Sequence, residues 1–485
     1  MHRRWNPVTS RLMNTGIQQP ITANSLNFWQ AMNPILQLGW PMILTQLFIM
    51  GTGFLDTAMA GNYSSVDLAG VALGNNLLWP IFMLLTGITM ALTPITSQLN
   101  GAGRLKETGF QIQQGLWLCL GSSALMVIIL MNVTVIYEIS GVQPEIASIA
   151  SDYLFAAAWG MPPVILYVAL RHACEGLGQT RAPMVIAGSV LPINAVLNYA
   201  LIYGEFGLPE MGGVGCGWAT AIVFWIEFML MLCVIRFPFF KATGFFERLS
   251  LPDAQAAMNI LKLGVPIGLL IFIEMAAYAI VTFLIARIGI VDMAAHSIAG
   301  NLNWLTYVIP MSIGAAASIR IGFLVGADRL SDARSTASAA FKFALVYALV
   351  VSLVLVAFRY QLVGVYTDDQ DVLAVAGTLM LFIAVYQIID DSQAVAGGAL
   401  RGYKDTTVPM VFGLVGYWFL ALPVGYGLAN GHLGFPALGV YGYWAGISIG
   451  MGLVAPCLAF RLWHLSGRRD KIKQLAAQRS EQALG

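Results

Sequence analysis

The chain carries LNGAGRL at residues 99–105 and LVGADRL at residues 324–330. At the same offset of about 225 residues, LGWP at Leu38 falls on LGVP at Leu263, Asn76 on Asn301, and Trp79 on Trp304. One further residue of offset pairs GQTRAPM (178–184) with KDTTVPM (404–410). It also pairs GVGCGW (213–218) with GVYGYW (439–444). Matches so spaced over the whole length mark an internal repeat, one unit written twice.

The unit is apolar. Of 485 residues, 58% are hydrophobic and 10% charged, against about a quarter charged in soluble domains. The chain is therefore an integral membrane protein. Runs long enough to span a bilayer fall near 36–59, 71–99, 115–136, 153–172, 184–203, 215–235, 263–288, 293–324, 341–358, 372–400, 410–428 and 441–463. That is six per repeat. An even number puts the second half in the same orientation as the first, so the halves form two six-helix lobes related by a pseudo-twofold axis along the membrane normal. The fold class expected is an all-α polytopic membrane protein. Its parts are a leader (1–35), an N-lobe (36–236), a linker (237–262), a C-lobe (263–465) and a basic tail (466–485).

All of the 25 lysines and arginines except Arg287 and Arg359 fall in the leader, linker and tail, or at one set of helix ends. The positive-inside rule makes that side cytoplasmic and puts both termini there. Net charge is +1, which gives no sign of a nucleic-acid partner. The leader holds Arg3, Arg4 and Arg11 and no apolar run with a cleavage site, so it does not read as a signal peptide. The five cysteines are scattered, with no CxxC, and read as reduced core residues.

Chemistry must come from the few acids inside the apolar runs: Asp56, Glu227, Glu274, Asp390 and Asp391. A charge at the centre of a membrane helix costs about 2.5–3.5 kcal/mol on insertion scales, which favours a functional group. Asp390 and Asp391 sit in LMLFIAVYQIIDDSQAVAG (379–397). Tyr386 precedes Asp390 by one turn on the same face, whereas Asp391 points about 100° away. Glu274 lies mid-helix in LLIFIEMAAYAIV. Asp56 lies nearer the outer end of its helix, where a solvated helix-end carboxylate is the plain alternative. Glu227 has no polar neighbour at helical spacing and reads as a lone acid against a partner helix. Asn194 and Asn198, four apart, share a face, with Thr220 able to join them; interhelical hydrogen bonding is their ordinary use. Carboxylates with tyrosines and backbone carbonyls suit H⁺ or Na⁺ alike.

No phosphate loop, HExxH, GxSxG or paired-cysteine site occurs, so neither an ATP-driven pump nor an enzyme is supported. No cofactor is expected. His296 reads as a boundary residue. The 22 methionines and the 11% aromatic content suit an adaptable cavity and ordinary membrane packing equally.

GFLDTAMAG (53–61), LNGAGR (99–104), PMSIGAAASIRIG (310–322) and YQIIDDSQAVAGGALRGYKDT (386–406) together resemble the multidrug and toxic compound extrusion (MATE) transporters of the NorM-type branch. The likeness runs from about Leu36 to Leu462. It implies two six-helix lobes around a V-shaped cavity in a bacterial inner membrane. It also implies a monomer that exports cationic amphipathic drugs or dyes in exchange for inward Na⁺ or H⁺. By the same resemblance, Asp56 is the first-helix acid, with Asn194, Asn198 and Thr220 as its polar cluster. Glu274 and Asp390 are the C-lobe coupling pair, and the ligands of Na⁺ if sodium drives the exchange, with Tyr386 and Tyr307 as companions. Asp369 resembles an acid linked to drug contact. Asp391 departs from the family's commoner small residue and leaves open an additional negative charge toward substrate. The rivals are a lipid-linked oligosaccharide flippase, which needs a cationic centre while no arginine or lysine is expected near mid-helix, an intramembrane enzyme, and a gated channel.

Overall fold

A computed structural model describes residues 26–133, 137, 143–434 and 436–477. All of the leader before Leu26 lies outside them. The first half comprises α1 (Phe28–Tyr63), α2 (Ser65–Gly101), α3 (Leu105–Met131), α4 (Pro144–Ala158 with Met161–Gly176), α5 (Arg181–Tyr203) and α6 (Gly213–Val234). The second comprises α7 (Ala254–Ala286), α8 (Ile290–Gly326), α9 (Leu330–Ala357), α10 (Gln370–Gly402), α11 (Thr407–Ala429) and α12 (Val440–Ser466). All are long and apolar enough to cross a membrane, α4 only as a pair bent by 53°. The bend falls just before Met161-Pro162-Pro163, where proline removes hydrogen bonds the straight helix needs.

The helices run past their apolar centres. Met32 and Ile35 are fully buried, so α1 begins at Phe28, inside the expected leader. Likewise α9 begins at Leu330, earlier than its apolar run, and this corrects one expectation: Lys342 falls near mid-helix, where it is exposed. Caps set the starts. The Ser64 hydroxyl accepts from the Val66 and Asp67 amides at 3.1 and 3.4 Å. Asp253 Oδ1 accepts from the Ala256 amide at 2.6 Å. Inside α11, Val415–Ala421 adopts a π-helix, which rotates the side chains beyond it relative to an α-helical register.

The repeat glycines are where the halves meet. A Cβ on Gly101 would lie 1.9 Å from the Phe323 carbonyl oxygen, and one on Gly326 would lie 2.0 Å from that of Gln98. These two contacts exchange when the repeat offset is applied. So do a second pair: Gly39 of LGWP against Ile313, and Gly264 of LGVP against Ile88. Reciprocal contacts of this kind are what a twofold interface requires. Gln98 Nε2 adds a hydrogen bond to the Gly402 carbonyl at 3.0 Å. The exchange extends to the cores. Met32, Ile35, Leu38 and Met42 of α1 pack in the second half's hydrophobic core, and Ile260 and Leu263 of α7 pack in the first half's. Among the described residues, every close glycine approach between halves lies from mid-bundle to the basic end.

The 237–253 linker is held to α3. Gln113 Nε2 donates to the Phe245 and Arg248 carbonyls at 2.7 and 2.8 Å, and its Oε1 accepts from the Ser250 amide at 2.8 Å. Gln114 makes the matching pair with the Leu251 carbonyl and the Asp253 amide. The Trp117 indole N–H donates to the Ser250 carbonyl at 2.9 Å.

Candidate cation and substrate site

In the first half, α1, α5 and α6 converge on Asp56. Asn198 and Asn194 are fully buried because α5 must keep its polar face off the lipid. Asn198 Nδ2 donates to Asp56 Oδ1 at 2.5 Å and to Asn194 Oδ1 at 3.1 Å. Thr220 Oγ1 donates to Asp56 Oδ2 at 3.4 Å, and the Cys216 thiol reaches the Asp56 carbonyl. The residues singled out in the sequence are thus assembled around one carboxylate. Tyr153 stands nearby, its hydroxyl donating to Asn75 Oδ1 at 2.9 Å.

In the second half, α7, α8, α10 and α11 meet at Glu274 and Asp390. Tyr417 OH and Gln393 Nε2 both donate to Glu274 Oε1, at 3.0 and 3.2 Å. Tyr386 OH lies 3.4 Å from Tyr417 OH, and the neutral side chains of Tyr386 and Asn303 interact with Asp390. Tyr307 lies one helical turn beyond Asn303 on α8, its ring centroid 5.8 Å from that of Trp304. Acceptors outnumber donors here: Asn303 Oδ1 and Gln393 Oε1 are buried without a hydrogen-bond partner. Bare acceptor oxygens beside carboxylates suit a proton or a hard cation. Among the described residues, no group of three His, Cys, Asp or Glu side chains could hold a metal ion. A sodium ion here would draw on the two carboxylates and neutral oxygens.

Asp391 takes the other direction. It is fully buried and Oδ1 accepts from Gln387 Nε2 at 2.7 Å. Gln387 Oε1 accepts from Thr306 at 2.9 Å, and Tyr347 OH donates to the Thr306 carbonyl. A carboxylate sealed in this chain meets no substrate in this conformation, which tells against the substrate contact suggested for it. Asp369 is similarly occupied. It caps α10, accepting from the Asp371 and Val372 amides at 2.9 and 3.4 Å, roughly 30 Å along the helix from Asp390.

Glu227 has a neighbour that the sequence hid. Arg171 of α4 acts on its charge, while Arg171 Nε lies 3.4 Å from Glu175. His296 is buried and structural: Nδ1 accepts from Trp444 Nε1 at 3.2 Å and Nε2 meets Thr282 at 2.9 Å. Tyr417, Gln393, Gln387 and Asn303 escaped the sequence reading. Gln393 and Gln387 stood at helical spacing from Asp390 and Asp391. Tyr417 carried no such signal, since a π-helical register aims it.

The ion pairs seen among the described residues leave out Asp56, Glu274 and Asp390. Each is held by neutral donors only, so its charge stays available to a mobile cation.

Comparison with known proteins agrees with this architecture. The MatE family model matches residues 41–200 and again 266–427, once in each half. The multidrug resistance protein MdtK of Proteus mirabilis is 37% identical over 447 residues, covering 92% of this chain and 98% of that protein. A eukaryotic MATE transporter, AtDTX14, superposes with a TM-score of 0.81 at 18% identity, covering 92% of this chain and 99% of its own. A variant of the Vibrio cholerae MATE transporter VcmN gives 0.81 at 17% identity, covering 91% and 98%. A family model matched in both halves and a full-length relative at this identity establish that the chain belongs to the MatE family.

Proposed function

We propose that this protein is a secondary active multidrug efflux transporter of the inner membrane. It exports cationic, amphipathic compounds by antiport with Na⁺ or H⁺, with the basic helix ends and both termini in the cytoplasm. The observation that carries this reading is the set of carboxylates deep in the membrane-spanning helices, Asp390 buried and Asp56 and Glu274 half-buried, held by neutral donors alone. A buried carboxylate without a cation is costly, and both a cationic cargo and a coupling ion relieve that cost. The two halves expected at 36–236 and 263–465, extended by the early starts of α1 and α7, act as the moving bodies, with the 237–253 linker between them. The glycine contacts close the basic side, so the conformation here takes its coupling cation from the opposite side. Neutralising Glu274, Asp390 or Asp56 lowers their hold on a bound cation. A ligand shifts the lobes only by its differential affinity for the two states, and linked sites typically couple by about 1–3 kcal/mol.

Carboxylates at the centre fit a cationic cargo better than the pyrophosphate of a lipid-linked oligosaccharide. The test is uptake of a cationic dye into inverted proteoliposomes under an imposed Na⁺ gradient and, separately, a pH gradient. At least one gradient drives the parent, and Glu274→Gln and Asp390→Asn lose that drive. Dye movement indifferent to both gradients overturns antiport. Movement that does not saturate points to a channel instead.

A further inference from the structure

A cavity of about 360 Å³ lies between α3 and the linker, away from both carboxylate sites. Its floor is the α3 face formed by Gln113, Leu116, Trp117 and Leu120, and its roof is Phe245, Phe246, Arg248 and Leu249. Gln113 fixes the depth. It stands about 12 Å along α3 from Leu105, so its bond to the Arg248 carbonyl holds the linker where the polar helix end passes into apolar span. Leu116 and Leu120 continue the floor deeper into that span.

The rim and floor differ in chemistry. Leu249 is 81% exposed, Phe246 55% and Leu120 42%, an apolar surface that water would not leave bare. Arg248 is exposed and makes no ion pair among the described residues. The adjacent Glu247 turns instead to Lys106 at 3.7 Å. An exposed arginine, its backbone held by Gln113, beside an apolar trough at the membrane boundary matches a molecule with an anionic head and acyl chains. Arginine suits a phosphate in particular, because its planar fork donates to two oxygens at once.

We propose that this cavity binds an anionic phospholipid of the basic-side leaflet, with its phosphate on Arg248 and an acyl chain along Leu116, Leu120, Phe246 and Leu249. The site is independent of the transport reading. It rests only on the membrane embedding and on the linker clamped over α3.

Trp117 lines the cavity and reports on it. The protein is placed in phosphatidylcholine nanodiscs doped with phosphatidylglycerol or phosphatidylcholine carrying brominated acyl chains. The Trp117 signal is the difference between parent and Trp117→Phe. Brominated phosphatidylglycerol is expected to quench it at an about fivefold lower mole fraction than brominated phosphatidylcholine, the preference one basic side chain near a surface confers. Arg248→Gln is expected to make the two lipids equal. Equal quenching in the parent, or a preference that survives Arg248→Gln, overturns the proposal. Millimolar inorganic phosphate that abolishes the preference also overturns it, since the site would then read a free ion. Should Trp117→Phe fail to fold, native mass spectrometry counts the phosphatidylglycerol retained by parent and Arg248→Gln, and equal retention is the contrary result.

Discussion

Gly101→Ala and Gly326→Ala test whether the repeat glycines seal the basic side. The added methyl would stand 1.9 Å from the Phe323 carbonyl oxygen in one case and 2.0 Å from that of Gln98 in the other. Carbon and carbonyl oxygen normally approach to about 3.3–3.6 Å, so the two helices must part by more than an ångström. Neither obstacle is a flexible side chain that can swing aside. Overpacking of this sort costs about 1–3 kcal/mol. That cost falls on the state closed at the basic end and not on a state in which α2 and α8 have separated there. The equilibrium between them should move about 5–150-fold toward the open state. Because both glycines serve one closure, the double variant should shift it by less than the sum of the singles. Ser97 is fully buried beside Gly322, so Ser97→Cys provides the probe. Its labelling by a membrane-impermeant maleimide applied from the basic side should rise by that factor in each glycine variant. Unchanged labelling in variants that melt cooperatively would show that the closure lies elsewhere.

Further expectations concern single contacts. Asp391→Asn keeps the Gln387 hydrogen bond on its oxygen and should retain dye transport within about threefold, whereas Asp390→Asn should abolish coupled transport; dye flux in proteoliposomes separates them. Asn198→Ala removes the donor to Asp56 and leaves a carboxylate oxygen unpaired, a loss of about 1–3 kcal/mol visible as a lower melting temperature. Gln113→Leu strips three hydrogen bonds from the linker and should speed tryptic cleavage after Lys241 and Arg248 in detergent, by freeing their backbone, at unchanged helical content. Asp328, in the turn after α8, receives Lys473 at 3.4 Å and Arg469 at 3.0 Å. Those partners, Lys473 foremost, hold its carboxyl below the ordinary aspartate range. Their contribution is therefore present above the ordinary aspartate range and is lost as pH falls through the lowered value. The protection of the Arg469–Ala477 amides, their exchange corrected for its intrinsic dependence on pH, should fall on that descent and stay level between about pH 5 and 8.

The features legible in the sequence were those written along the chain itself. LNGAGRL and LVGADRL declared the repeat because their likeness is covalent, and the structure puts their glycines at reciprocal contacts. Asp390 and Asp391 could be sent to different neighbours by helical geometry alone, as Tyr386 and Gln387 now show. The acids of the site stood out because lipid makes any charge conspicuous. What stayed hidden depends on distances between helices or on departures from α-helical register. Tyr417 reaches Glu274 through a π-helical segment that no periodicity announces. Arg171 lies opposite Glu227 from another helix, so spacing within either one was silent. Hydropathy placed the start of α9 too late because Asp332, Arg334 and Lys342 dilute a segment that is helical throughout.

Competition between cargo and coupling ion for the same acids is decided by binding, without transport. The dissociation constant of a cationic dye is measured on the purified protein while Na⁺ is raised at fixed pH, and while pH is lowered without Na⁺. For the coupling ion, the constant should rise in proportion to ion concentration, and Glu274→Gln with Asp390→Asn should flatten that dependence. Dye affinity that stays constant across both series would contradict competition.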